Sequence, residues 1–157
     1  MPAPEAGAAL PCQVDFYLLP SAQPLDALDF TCKLLDKAWR LGHRAWVVCA
    51  TAEQCQALDE RLWRFRAEAF VPHAPQADDP HAPVVLATGV PATEARGHAL
   101  HDLLVNLAEG LPQGHEGFAR VAEIVPDEPA LRQAARERFR FYRERGYALQ
   151  NHRLSRI

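Results

Sequence analysis

Seventeen residues near the end of the chain, LRQAARERFRFYRERGY (131–147), carry most of its capacity for recognition chemistry. They hold six arginines, two glutamates, two phenylalanines and two tyrosines, a formal charge of +4 in a chain whose total is −3. An arginine guanidinium can donate two parallel hydrogen bonds to a carboxylate or phosphate, and an aromatic ring beside it supplies an apolar wall. At about 100° per residue, Leu131, Ala135 and Tyr142 fall on one narrow stripe of a helix. Phe139 with Arg132, Arg143, Arg136 and Arg140 fills the adjoining sector, about 100° wide, while Glu137 and Glu144 lie on the far side.

A stripe of this kind reads as a solvated charged face or as a binding surface. Two observations favour binding. Arg132, Arg136 and Arg140 repel one another at i, i+4 spacing, at a cost of a few tenths of a kcal/mol per pair, roughly. A phenylalanine at position 139 among them has no ordinary surface role. The ligand classes that fit are an acidic peptide with an apolar anchor and single-stranded nucleic acid, held by phosphate pairing and base stacking. Residues 132–157 carry eight arginines and two glutamates, hence +6, and the remaining nine basic and eighteen acidic residues give −9. Repulsion from that acidic remainder weighs against tight nucleic-acid binding.

Catalytic and cofactor patterns are missing. No GxGxxG and no GxxxxGK[ST] occurs, and the first apolar segment is followed by Pro20-Ser21-Ala22-Gln23, without a glycine to let backbone N–H groups approach a phosphate. Only Ser21 and Ser155 could be serine nucleophiles, and neither lies in GxSxG. Cys12, Cys32, Cys49 and Cys55 lack CxxC spacing and read as free thiols, with Cys49 in an apolar run. His98 and His101 stand at i, i+3 without a partner carboxylate at matching spacing, so they read as surface histidines. The expectation is a protein that is not an enzyme, with no cofactor and no metal.

A second surface candidate is WRFRAEAFVPH (63–73), where Trp63, Phe65, Phe70, Val71 and Pro72 crowd one helix end. It reads as core closure or as a hydrophobic partner patch.

The elements that must position these residues follow from apolar periodicity. Val14–Leu19, Ala45–Ala50, Pro83–Thr88 and Leu103–Leu107 read as strands, and Val121–Val125 as a fifth strand or a helix extension. Residues 24–41 read as a helix stopped by Gly42, and the helix after Thr51 has a capping pattern with Gln54. Residues 72–82 and 89–97 read as loops, 114–119 as a short helix, and Pro129 as the first turn of the last helix. Alternating strands and helices predict α/β: a single three-layer α/β/α domain over residues 13–157 with a mostly parallel central sheet. Residues 1–12 read as a loose tail without signal-peptide character, and no apolar run is long enough to span a bilayer, so a cytoplasmic, non-membrane protein is expected.

Taken in order, VDFYLL, LDERLW, EAFVPH, VNL and LRQAARERFRFYRERGYALQNHRL make the chain resemble the chi subunit of bacterial DNA polymerase III, from about Val14 to Leu154. The resemblance implies a Rossmann-like fold without a nucleotide site. It implies an accessory role in the clamp-loader assembly at the replication fork. The implied partners are the psi subunit and the acidic C-terminal tail of single-stranded DNA-binding protein (SSB), which ends in Pro-Phe behind several aspartates. A helicase-like repair protein would share the psi-facing surface, and contact with DNA would be indirect, through SSB. Carried onto this chain, the tail pocket would involve Val125, Arg132, Arg136, Phe139, Arg140 and Gly146, and the psi surface Trp63, Phe70, Val71 and Pro72. Position 139 is Phe where the family can have Tyr, and position 132 is Arg where it can have Lys. The alternative is a module that binds single-stranded nucleic acid directly with the same basic helix.

Overall fold

The computed structural model describes residues 13–65, 71–79, 81–90 and 101–157. The expected loose tail, His98 and Phe70 lie outside the described residues.

Seven strands form one sheet: β1 (Gln13–Leu18), β2 (Ala45–Val48), β3 (His73–Pro75), β4 (Val84–Ala87), β5 (Leu103–Asn106), β6 (Arg120–Val125) and β7 (Ala148–Arg153). Their order is β3-β4-β2-β5-β6-β1-β7, and every neighbouring pair is parallel. The described helices are α1 (Pro24–Arg40), α2 (Ala52–Arg64) and α3 (Pro129–Glu144). The architecture is α/β, as the alternation of elements predicts, and the sheet is wholly rather than mostly parallel.

Side-chain alternation along the strands divides the interior into two layers. Val47, Leu86, Val105 and Ile124 point to the side of α1 and α2, where Leu28, Leu35, Leu58 and Leu62 cover them. Trp46, Val85, Leu104, Val121 and Val125 point to the other side, where Ala135 and Tyr142 of α3 complete the core. Strands β2, β4 and β5 are buried at every position, which is why they read as unbroken apolar runs.

Local signals set the helix ends. Thr51 Oγ1 accepts the Gln54 N–H at 3.0 Å, and Gln54 Oε1 accepts from Ala50 N at 2.6 Å. Glu128 caps α3 by accepting the N–H groups of Ala130 at 3.2 Å and Leu131 at 2.9 Å. Gly146, at φ +82°, takes the left-handed turn that ends α3 and releases the chain into β7.

Three expectations change, and one strand was not anticipated. The 72–82 segment is not wholly loop: His73–Pro75 pairs with β4 as an edge strand, a place where a proline is tolerated. Residues 148–153 form a polar strand that alternation of apolar residues did not announce. The short helix expected at 114–119 is a 3₁₀ turn over His115–Gly117. His101 is buried instead of surface-exposed, with its Nε2 2.7 Å from the carbonyl of Ala82.

Candidate peptide-binding pocket

A pocket of about 260 Å³ opens between α3 and the β1–β7 edge of the sheet. It is lined by Phe16, Leu18, Arg132, Ala135, Arg136, Phe139, Asn151 and Arg153. Its floor is apolar. Phe16 and Leu18 come from β1, and Phe139 packs on Phe16 with ring centroids 5.4 Å apart. Three arginines line it, and among the described residues no carboxylate does.

Each cation is held differently. Arg132 donates from Nη2 to the Leu19 carbonyl at 2.9 Å and from Nε to the Pro126 carbonyl at 3.3 Å, and its Nη2 lies 3.5 Å from Asp127 Oδ1. Those carbonyls lie just past the ends of β1 and β6, so the strand ends fix this guanidinium. Arg136 donates to the neutral Gln133 Oε1 at 2.9 Å. Arg153 stands on β7, in register with Leu18 of the floor.

Below the pocket, α3 is locked to the sheet by a polar cluster. The Glu123 carboxylate is wholly buried and accepts from Arg138 Nε at 3.0 Å, Tyr142 Oη at 2.8 Å and Asn106 Nδ2 at 2.8 Å. Arg138 also donates to the Glu109 carbonyl. Burial pushes the Glu123 carboxyl above its ordinary pKa, against the opposing pull of Arg138, Tyr142 and Asn106. Counting every arginine of 131–147 toward a basic surface overlooks this one. The signal was present: Arg138 falls at about 340° on the wheel, beside the stripe of Leu131, Ala135 and Tyr142 that faces the sheet.

Of the residues expected at the site, the structure brings Arg132, Arg136 and Phe139 together. Phe139 is half-buried rather than exposed. Val125 lies beneath them, buried in the α3-side core. Arg140 and Gly146 are exposed and do not line the pocket. Phe16, Leu18, Asn151 and Arg153 were not anticipated, because only the pairing of β1 with β7 brings them to α3.

The second candidate surface separates into parts. Trp63 is 59% exposed at the end of α2, with its ring 4.9 Å from that of His73. Val71 is buried in the core, and Pro72 is half-buried.

A larger groove, about 400 Å³, lies on the opposite layer beside α1 and includes Tyr17, Leu34, Leu41, His43, Asp102 and Arg120. Size does not make it the better site, because its His43, Asp102 and Arg120 already have partners within the fold. His43 Nδ1 lies 2.7 Å from Asp102 Oδ2, and Arg120 Nε lies 3.6 Å from Asp15 Oδ2. Burial opposes ionisation of Asp102, but hydrogen bonds from His43 and the Arg44 N–H hold its carboxyl below the usual range. Among the described residues no cluster of His, Cys, Asp and Glu could hold a metal ion, and no helix is long and apolar enough to cross a membrane.

Comparison with known proteins places these features in context. The family model described as "DNA polymerase III chi subunit, HolC" matches residues 12–150. The DNA polymerase III subunit chi of Pseudomonas aeruginosa is 51% identical over 145 residues, covering 92% of this chain and 99% of the relative. That of Escherichia coli is 34% identical over 140 residues, covering 85% and 92%. That of Haemophilus influenzae is 30% identical over 134 residues, with the same two coverages.

Proposed function

Because the chain belongs to the DNA polymerase III chi-subunit family, we propose that it is a non-catalytic adaptor of the bacterial replicase, acting in the cytoplasm, which captures the acidic C-terminal tail of SSB and pairs with the psi subunit. One observation carries the tail reading: among the described residues, three arginines and no carboxylate line a pocket with an apolar floor. The tail's terminal phenylalanine enters over Phe16, Leu18 and Phe139, while its carboxylates meet the guanidiniums. Val125 supports the floor from below. Arg140, one residue beyond Phe139, adds positive potential outside the pocket, and Gly146 sets the turn that brings β7 alongside. The Phe at 139 forgoes a hydroxyl but keeps the apolar wall. Arg132 keeps a positive charge in a planar, directional form.

On the far side, exposed Trp63 with Pro72 forms the psi-facing surface, with Phe70 as a further contact and Val71 as its buried support. A helicase-like repair protein would compete for the same place.

Fluorescence anisotropy with a labelled SSB-tail peptide tests the pocket. Arg136→Ala is expected to weaken binding by about 1.5–3 kcal/mol, the scale of a hydrogen bond to a charged group. Binding should also weaken with added salt. Unchanged affinity in the Arg132→Ala/Arg136→Ala double variant would remove the site assignment. A labelled oligonucleotide that bound as tightly as the peptide, without SSB and with a steep salt slope, would give the pocket to nucleic acid instead.

A further inference from the structure

We infer that the edge strand β7 is the second wall of this pocket, and that Arg153, assisted by Asn151, grips the acidic ligand from the side opposite α3. The inference rests on the tail-capture reading and specifies how that site holds its ligand. Side chains alternate along a strand, so Leu149, Asn151 and Arg153 share one face of β7. Leu149 packs against the α3-side core, which fixes that face as the one turned toward the pocket. His152 points the other way, where its Nε2 lies 3.0 Å from Asp15 Oδ1 and its ring stacks on Tyr17 at 4.7 Å. Parallel register then sets Asn151 beside Phe16 and Arg153 beside Leu18, along the apolar floor.

The three lining arginines are not equivalent. Arg132 is already held by two backbone carbonyls and stands near Asp127. Among the described residues, Arg136 is hydrogen-bonded only to a neutral amide, and Arg153 makes no ion pair. The two guanidiniums without a counter-charge among the described residues therefore stand on opposite walls, one on α3 and one on β7. An extended peptide points successive side chains to opposite sides. A run of aspartates in that conformation presents carboxylates to both walls at once, and a single wall could use only alternate ones. Asn151, two residues before Arg153 on the same face of β7, offers an amide donor and acceptor to the peptide backbone.

Anisotropy titrations with two labelled peptides test this. Both end in the same aromatic residue. One carries the preceding aspartates and the other carries asparagines in their place. Arg153→Ala is expected to weaken the aspartate peptide about tenfold. Against the asparagine peptide the loss should shrink to about twofold or less, the coupling a double-mutant cycle isolates. Arg153 is exposed on an edge strand, so the variant should melt like the parent protein. If Arg136→Ala weakens the aspartate peptide while Arg153→Ala does not, β7 is not a wall of the site and the tail reading stands. Equal losses against both peptides would show that Arg153 does not read charge, overturning the inference. If the parent protein binds neither peptide, the tail reading falls and this inference falls with it.

Discussion

Glu123 is the residue on which α3 depends, and its surroundings make a pH prediction possible. A wholly buried carboxylate is tolerated here because Arg138, Tyr142 and Asn106 all donate to it. Arg138→Met removes the counter-charge and leaves two neutral donors. Breaking a buried pair in this way is expected to cost about 3–5 kcal/mol at neutral pH. The Glu123 carboxyl already sits above its ordinary pKa, and without Arg138 it should rise further. A raised folded-state pKa contributes stability that is full below the unfolded-state value and is lost as pH rises through the folded-state value. The deficit of the variant should therefore be smallest in acid and grow as the pH climbs past the carboxylate range. Urea denaturation of both proteins between about pH 5 and about pH 8 reads this directly. A deficit that stayed constant across that range would mean that the lost packing of Arg138, not the charge of Glu123, sets the cost.

At the scale of elements, the pocket depends on how α3 starts. Glu128 satisfies two of the orphan N–H groups of the first turn, and Pro129 needs no such partner. Glu128→Ala should cost about 1 kcal/mol of stability, as the loss of a helix cap usually does. It should leave the tail peptide's affinity nearly unchanged, since Glu128 does not line the pocket. A melting temperature equal to that of the parent protein would deny the cap its role. The same helix shows what sequence can and cannot reveal. Its limits follow from Pro129 at the start and Gly146 past the end, and its buried Ala135 and Tyr142 and the grouping of Arg132, Arg136 and Phe139 follow from a 3.6-residue period acting within one segment. Strand β7 was illegible because an edge strand needs no apolar pattern, and ALQNHR has little. Asn151 and Arg153 were illegible for a further reason. Their place beside Phe16 and Leu18 is a matter of register between segments more than 130 residues apart, which no local period encodes. The acidic partner of Arg138 lies on another strand too, so the wheel could show that Arg138 faces inward but not why the interior accepts it.

The fold separates the two proposed contacts by layer, sheet edge and strand end. Helix α2 packs over the β3–β4 edge, on the layer it shares with α1, whereas α3 packs over β6 and β7 on the opposite layer. Trp63 ends α2, toward the amino ends of the strands. Arg132 reaches the carbonyls just beyond the carboxyl ends of β1 and β6. The two surfaces therefore differ in layer, in sheet edge and in strand end, so one ligand need not obstruct the other. Charge supports the same division along the sequence, because residues 132–157, which supply Arg132, Arg136 and Arg153 of the pocket, carry +6 and the remainder carries −9. On the proposed reading, an acidic body discourages loose attachment to DNA and leaves the arginine pocket to attract an acidic tail. A pull-down from native lysate with tagged protein distinguishes an adaptor from a single-site binder. The parent protein should bring down SSB together with a small clamp-loader partner. The Arg132→Ala/Arg136→Ala variant should lose SSB and keep the small partner, and Trp63→Ser should show the reverse. If either variant lost both proteins while still melting like the parent, the two surfaces would not be independent, and the adaptor reading would fail at the point where the fold makes it most natural.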